Sequence, residues 1–453
     1  MKSKTKALTP EEKLSQALLP REEWPYELPK GWVWTRMEYV YQVNPKSKCE
    51  DEAEASFVPM EKISAGFNFE FQFDIKSWKD IKKGHPHFEE NDVAFAKISP
   101  CFENRKSFIA HNLINGIGAG TTELVVLRQP LISSLYTYWL VNSERFISGG
   151  VNTYSGTVGQ QRINMDYVRN YPVPLPPLPE QQRIVDKIES LFSKLDEAGD
   201  RLQKVLDGYE ARRAAILHEA FSGKWTGDHG AGDMSVPKGW RKVKFTDVAE
   251  VKSNLVSPED YPDFPHIAPD NIEKMTGRLL SYNTVQEDGV KSPKHHFFPG
   301  QILYSKIRPY LSKVVTVNFE GLCSADMYPI EAKENARYLW YYMLSNEFLN
   351  QAVSGKSRTV LPKINRKELA NIQVLIPGLS LQQFIVDKLD AQFKNERMAK
   401  EVIQKTLIQI DLMKKSILAR AFRGELGTQD PSDPSALALL KECVMEGKEG
   451  SKS

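Results

Sequence analysis

The chain repeats itself once, at a very long period. Pro29-Lys30-Gly31-Trp32 returns 208 residues later as Pro237-Lys238-Gly239-Trp240. Asp92-Val93-Ala94-Phe95-Ala96-Lys97-Ile98-Ser99-Pro100 returns in outline 209 residues later as Gln301-Ile302-Leu303-Tyr304-Ser305-Lys306-Ile307-Arg308-Pro309. Three further matches share a shift of 201: Ile163-Asn164 with Ile364-Asn365, Gln181-Gln182-x-Ile184-Val185-Asp186-Lys187 with Gln382-Gln383-x-Ile385-Val386-Asp387-Lys388, and Ala220-Phe221-x-Gly223 with Ala421-Phe422-x-Gly424. A period near 200 residues is too long for a solenoid unit, so each copy is expected to be a domain with an appendage. Two like halves can place two similar binding surfaces about a pseudo-two-fold axis. That suits a target with two parts, of which duplex DNA is the commonest.

At 453 residues the chain has room for about two to four domains, each with its own core. No apolar run reaches membrane-spanning length, and the basic start, Met1 to Lys6, leads into a polar helix rather than a signal-type apolar stretch. Cys49, Cys101, Cys323 and Cys443 form no C-x-x-C pair, so neither a zinc site nor a disulfide framework is indicated, and a reducing cytoplasm fits. A net charge of only +2 argues against nucleic-acid binding by bulk charge alone. Local basic loops, or partners that share the phosphate contacts, remain compatible with it.

Each copy divides in two. The first part, 28–178 and 236–376, mixes short β-branched and aromatic runs with Gly and Pro turns, and predicts a mixed α/β or α+β globule. Thr122 to Leu127 and Ser312 to Val317 read as strands, and Tyr136–Phe146 and Tyr338–Phe348 as short amphipathic helices. The second part, 179–226 and 377–426, reads as a long helix. After Pro174-Leu175-Pro176-Pro177-Leu178-Pro179 no proline occurs up to Phe221, and Ile184, Ile188, Leu191, Leu195, Ala198, Leu202, Val205, Tyr209 and Ile216 fall at alternating steps of four and three. This is a coiled-coil seam, interrupted only by Arg212, about 60 Å long for roughly 40 residues. The second copy keeps Ile385, Leu389, Ala399, Ile403, Ile410, Met413 and Ile417 but places Gln392 and Glu396 on the seam. If the two helices pair antiparallel, Arg212 falls within a turn of Gln392 and Glu396. An Arg212–Glu396 pair would then fix the register, and solvent exposure of all three at the seam edge is the alternative. Residues 227–235 read as a Gly-rich linker, and 427–453 as a polar tail with a possible helix from Ala436 to Met445. In the N-terminal extension, 1–27, Leu14-x-x-Ala17-Leu18 and Trp24 echo Leu217-x-x-Ala220-Phe221 and Trp225. On that reading the head copies the element before the second domain and closes a cyclic arrangement.

A globular domain ending in Leu175-Pro176-Pro177-Leu178-Pro179-Glu180-Gln181-Gln182-Arg183-Ile184-Val185, then a long helix ending in Ala220-Phe221-Ser222-Gly223-Lys224-Trp225, all duplicated, resembles the DNA-specificity subunit of Type I restriction-modification enzymes. Asn91 to Ile98 and Gly159 to Asn164 are similar to further parts of its pattern. The resemblance spans nearly the whole chain. It implies two target recognition domains, each reading one half of a split site, and two long antiparallel helices that set the spacer and dock two methyltransferase subunits, with restriction subunits joining that core. It implies double-stranded DNA as partner, no membrane, and no catalysis or cofactor in this chain. S-adenosylmethionine, ATP and Mg²⁺ would belong to the partner subunits, one of which flips the target adenine out of the stack. The second copy departs from the pattern, with Pro377-Gly378-Leu379-Ser380-Leu381-Gln382 in place of the Pro-Pro and the Glu.

Bases are read by hydrogen bonds to their edges, and Lys, Arg and backbone N–H groups hold phosphates, so polar loops on a rigid scaffold are the candidates. Lys97 and Ser99 lead into Arg105 and Lys106. At the matching place Lys306 and Arg308 lead into Tyr310 and Lys313. Thr157, Gln160, Gln161 and Arg162 match Lys356, Arg358 and Lys363. The helix interface is expected to use Ile184, Ile188, Leu191, Leu195, Leu202, Arg212, Ile385, Leu389, Glu396, Ile403 and Ile410.

Other motifs point elsewhere with less support. Gly116-Ile117-Gly118-Ala119-Gly120 lacks the strand–loop–helix context of a nucleotide loop, and the second copy has no such glycines. Pro100-Cys101 resembles a cytosine-methyltransferase nucleophile, but its repeat partner is Pro309-Tyr310. Asp326, Glu331 and Lys333 mimic a nuclease spacing with no matching trio in the first copy. His85-Pro86-His87 and His295-His296 lack a ligand partner at suitable spacing. A self-contained methyltransferase or nuclease, or a scaffold that binds only protein, are the rival readings.

Overall fold

The computed structural model describes residues 9–226, 236–354 and 362–446. The chain divides into two compact units, 1–200 with 406–453, and 201–405. The sequence linker 227–235 lies outside the described residues.

In the first unit one sheet runs in the order Gln42–Val43, Leu124–Arg128, Val93–Ala96, Ser107–Ile109, and a second in the order Asp74–Ser77, Glu54–Val58, Ile117–Gly120, His87–Glu89. Side chains alternate across a strand, and here both faces are covered. Val93, Phe95, Val125 and Leu127 pack toward the helices, while Ala94, Leu124 and Val126 join Val58, Phe88 and Phe108 between the sheets. Three layers result: helices, sheet, sheet.

The second unit repeats the plan. Ala249–Val251, Met327–Ala332, Ile302–Ser305 and Val314–Thr316 form one sheet. Leu255–Val256, Lys294–Phe297, Gly321–Cys323, Pro265–Ile267 and Asn283–Thr284 form the other. Ile302 and Tyr304 face the helices, and Leu303 faces Phe297 and Ile267. A mixed α/β globule is thus present twice.

The glycines of the apparent nucleotide loop have a packing reason. Gly118 lies on a strand opposite Phe88, and a Cβ there would fall 2.2 Å from the ring. The second unit does have the counterpart that the sequence comparison missed: Gly321 lies opposite Phe297, where a Cβ would fall 2.6 Å from the ring.

Each expected short helix is two helices. Ser134–Val141 gives way to Glu144–Val151, and Ala336–Met343 to Asn346–Val353. Ser143 and Ser345 break the run, because each hydroxyl caps the following helix by accepting from Phe146 N or Phe348 N at 3.4 Å.

A two-stranded sheet closes each globule, with prolines in the first copy only. Val33–Arg36 pairs with Pro172–Leu175, and Arg241–Lys244 with Gln373–Ile376. The long helices then begin, Leu178–Asp207 continuing as Tyr209–Phe221 after an irregularity at Gly208, and Leu379–Phe422 unbroken. Gln181 and Gln382 pin their first turns alike. Gln181 donates to Pro176 O at 3.1 Å and accepts from Ser133 N at 3.1 Å. Gln382 donates to Pro377 O at 2.9 Å and accepts from Asn335 N at 3.4 Å.

Helix segments run antiparallel within each unit. In the first, Asp196 pairs with Lys414, whose ammonium lies 5.2 Å from the Phe192 ring centroid, and Gly199 faces Leu407 and Ile410. In the second, Arg213 lies 3.8 Å over Phe393 and Lys388 4.2 Å over Trp225.

The seam is out of phase with the strict heptad reading. Ile184 and Ile188 are buried, but Phe192 rather than Leu191 is the next buried residue, and Leu195, Gly199, Leu202 and Leu206 face inward while Ala198 and Val205 are exposed. Two successive steps of four at the foot of the helix move alternate positions on by one, Leu191 to Phe192, Ala198 to Gly199 and Val205 to Leu206, while Leu195 and Leu202 keep their places. This follows the 3.6-residue period of a helix packed on a globule rather than the 3.5 of a free coiled coil. In the other helix Ile385 and Leu389 are buried, Ile403 and Ile410 half-buried, and Met413 is exposed with Lys414 turned in. The shift also moves the cation. Arg213, not Arg212, faces Phe393 and donates to Thr276 O at 2.9 Å, while Arg212 is exposed and lies 5.3 Å from the Tyr209 ring. Burial raises the Glu396 carboxyl, opposed first by the charge of Arg213 and then by that of Arg212.

The closing element of the first unit is the one that the return of Ala220-Phe221 as Ala421-Phe422 marks. The edge of Phe422 meets Tyr136 at 5.4 Å, as Phe221 meets Tyr338 at 5.4 Å in the second. The end of the C-terminal helix, not the head, is therefore the structural equivalent of Ala220-Phe221. The head packs beside it in the same core: Ala17 is buried there, Tyr26 Oη donates to Phe422 O at 2.8 Å, Ala17 O accepts from Thr35 Oγ1 at 2.8 Å, and Trp24 Nε1 donates to Leu19 O at 3.0 Å. The tail forms a helix, Ala436–Glu446, that buries Leu440 and Cys443 in the same core.

Candidate nucleic-acid interface

Each globule brings its two candidate loops together by the same ladder of backbone bonds. In the first unit Lys97 N donates to Glu123 O at 2.8 Å, Ile163 N to Lys97 O at 3.0 Å, and Ser99 N to Gln161 O at 2.8 Å. In the second, Lys306 N donates to Asp326 O at 2.9 Å, Ile364 N to Lys306 O at 2.9 Å, and Arg308 N to Pro362 O at 2.8 Å. A residue just before a core strand, the turn after its neighbour strand, and the polar segment near the end of the domain thus share one edge.

Side-chain charge follows that backbone. Arg162 Nε and Nη2 grip the Glu123 carboxylate at 2.9 and 2.7 Å. The hydrogen bond from Arg162 holds the Glu123 carboxyl below its ordinary range, helped by the nearby charges of Arg162 and Lys97. In the second unit Asp326 receives Lys363 at 3.4 Å and Lys306 at 3.8 Å. One carboxylate between two cations therefore occurs twice, in each case with the acid immediately before a strand.

The segment 155–162 is a hairpin. Ser155 and Arg162 exchange backbone bonds at 3.0 and 2.9 Å, and Gly156 and Gly159 take positive φ at its turn. Thr157 and Gln160 are exposed at the tip with Val158, which is 95% exposed, and Gln161 is half-buried. Arg308 and Tyr310 are exposed in the second unit. Lys356 and Arg358 lie outside the described residues.

Other candidates turn inward. The Arg105 side chain is only 10% exposed, ion-paired to Glu144 at 2.6 Å and donating to Asn142 O at 3.1 Å. Lys106 Nζ donates to Met60 O at 2.9 Å, and Lys313 Nζ to Pro269 O at 2.7 Å. Ser99 is buried. These residues are withdrawn from the surface set because a basic side chain on a tight turn finds carbonyl acceptors nearby. The sequence reading missed Glu123 and saw in Asp326 only part of a nuclease-like trio. The available signal was an acid in both copies directly before the strands that begin at Leu124 and Met327.

The trio itself is dispersed: Glu331 faces Lys252 at 3.5 Å and Lys333 donates to Thr246 O at 2.7 Å. His85 contacts Gly120 O at 2.9 Å, His87 accepts from Ser47 N at 3.1 Å, and His296 pairs with Glu320 at 2.7 Å. Among the described residues no three His, Cys, Asp or Glu side chains gather as a metal site, and no helix is long and apolar enough to cross a membrane.

A duplicated three-layer domain, each copy carrying a long helix and a loop edge of paired charges, defines a class. The chain belongs to the family of the Type I restriction modification DNA specificity domain, whose model matches residues 35–206 and 237–405. Among curated relatives it is 35% identical over 355 residues to the Type I restriction enzyme EcoDI specificity subunit of Escherichia coli, covering 71% of this chain and 78% of that protein. It is 41% identical over 202 residues to the EcoAI specificity subunit of the same species, covering 44% of this chain and 34% of that protein. The fold is shared with the HsdS subunit of Thermoanaerobacter tengcongensis, at a TM-score of 0.60 and 19% identity over 89% of this chain and 99% of that one. A chain solved in a study of type I R-M complex assembly and conformational transition gives a TM-score of 0.67 at 20% identity, over 88% and 100%.

Proposed function

We propose that this specificity subunit is non-catalytic, works in the cytoplasm, and reads a bipartite site on double-stranded DNA. Each recognition domain, 28–178 and 236–376, takes one half-site. The helices 179–226 and 377–426 set the gap between them and carry two methyltransferase subunits, which restriction subunits then join. S-adenosylmethionine, ATP and Mg²⁺ are bound by those partners.

The observation that carries this reading is the loop edge built twice from the same backbone ladder. Lys97, Thr157, Gln160, Gln161 and Arg162 supply polar donors in one domain, and Lys306, Arg308, Tyr310 and Lys363 in the other. The two sets differ, so the half-sites should differ. Docking is supported by apolar side chains left exposed on the C-terminal helix: Ile408, Leu412 and Met413 in the first unit, and Met398 and Val402 in the second.

The test is methylation mapping of DNA from cells that express the chain with its cognate methyltransferase, against cells lacking the chain. A split motif with a fixed unread gap supports the reading. No new motif with an active methyltransferase present would favour a protein-binding scaffold, whose association would lack the steep salt dependence of phosphate contacts. Methylation or cleavage by the purified chain alone would favour a self-contained enzyme.

A further inference from the structure

The Glu123–Arg162 contact has a geometry that matters for base choice. The guanidinium carries five N–H groups. Nε and Nη2 each donate to Glu123, at 2.9 and 2.7 Å, and Nη1 donates to the Gln160 carbonyl at 2.9 Å. One N–H therefore remains on each terminal nitrogen. The side chain is still 43% exposed, and the backbone of Arg162 is fixed by its bonds to Ser155 and its bridge to Ile98. Such an arginine is oriented before it meets a ligand, so little rotamer freedom is lost on binding. Its two free donors match the paired acceptors O6 and N7 of guanine in the major groove. The hairpin is shaped for entry, since Thr157, Val158, Gly159 and Gln160 are all exposed at its tip.

The second domain has the same scaffold with different chemistry. Lys363 stands where Arg162 stands, with one ammonium 3.4 Å from Asp326. An ammonium is a point charge that suits a phosphate and selects no base by a bidentate contact.

The geometry points to Arg162, buttressed by Glu123, as the reader of a guanine in the half-site taken by the first domain, with Lys363 adding charge but no base selectivity in the second. This assignment rests on the DNA-recognition reading above. Glu123 is a positioning residue in it, acting through Arg162.

The experiment uses the full chain assembled with its cognate methyltransferase and a DNA library randomised across both half-sites, with methylation read by sequencing. The wild-type complex comes first. Absence of any split motif would overturn the DNA-recognition reading, and this assignment with it. With a motif in hand, Arg162→Lys, which keeps the charge, and Arg162→Ala should each relax one G·C pair of one half-site by about 5- to 150-fold. Every other position should hold. Glu123→Gln can accept only part of the guanidinium fork and should relax the same pair by less. Arg162→Gln should move preference at that pair toward A·T, since glutamine matches adenine. The second half-site serves as the internal control for folding. Unchanged discrimination at every position in Arg162→Lys and Arg162→Gln, or a uniform loss of methylation across all sequences with no single pair relaxed, would overturn the assignment.

Discussion

The Trp32 indole N–H donates a 2.7 Å hydrogen bond to the buried carboxylate of Glu180, at the point where the first domain hands over to its helix. The other carboxylate oxygen accepts from Thr428 Oγ1 at 3.1 Å, so the helix start, the domain and the C-terminal tail meet on one side chain. Position 381 holds Leu in the second copy. Its buried Trp240 Nε1 has no hydrogen-bond partner among the described residues. The loss of the Glu from the repeated motif thus has a visible consequence.

Two tryptophan variants test that asymmetry. Both Trp32→Phe and Trp240→Phe remove similar apolar surface. Only the first takes a donor from a buried carboxylate, and hydrogen bonds to charged groups contribute about 1.5–3 kcal/mol. Trp32→Phe should therefore destabilise its unit by about that much more than Trp240→Phe does its own, measured by urea unfolding with hydrogen exchange to separate the units. Equal losses would show that the Glu180 contact adds no stability.

The closure of each unit by a helix end gives a second test. Removing a large buried aromatic side chain costs about 3–5 kcal/mol. Phe422→Ala should speed amide exchange through Ser134–Val141 and leave Ala336–Met343 unchanged, and Phe221→Ala should do the reverse. Exchange spreading equally through both helices in either variant would contradict this division of the core.

The Glu123–Arg162 pair predicts a pH effect. Arg162 lowers the Glu123 carboxyl below its ordinary value of 4.5. A group whose folded value is depressed contributes stability above its ordinary value and loses that contribution as pH falls through the folded value. The anchoring of the 155–162 hairpin should hold at neutral pH and weaken below about 4.5, more weakly in high salt because Arg162 is partly exposed. Exchange at the Ile163 amide, compared with Glu123→Gln, would register it: the variant should lack the acid-dependent component.

The spacer role predicts a change of site. Inserting four residues into Leu178–Asp207, with a matching insertion in Leu379–Phe422, adds about 6 Å of helix. The accepted gap between half-sites should lengthen by one or two base pairs at about 3.4 Å each. Methylation mapping of the insertion variant would show the new gap, and an unchanged gap would count against the helices as a ruler.

What the sequence by itself determined is local or repeated. The duplication is visible because matching segments keep their spacing. The proline neck and the proline-free stretches after it mark long helices, because ring closure and the 3.6-residue period act within a few residues. The candidate loops were legible too, since polar turns after a buried strand read the same in both copies. The tertiary structure alone decided the rest. Alternate seam positions moved by one residue because Phe192 packs against Trp139, with ring centroids 5.0 Å apart, and that contact joins residues far apart in the chain. Arg105, Lys106 and Lys313 left the surface because acceptors folded around them, and Glu123 gained its role because a partner 39 residues away was brought to it. The head came to lie beside Phe422, in one core with it, while Phe422 fills the site against Tyr136 that Phe221 fills against Tyr338. Each of these depends on which distant surfaces meet, and burial at such contacts outweighs the local pattern that suggested otherwise.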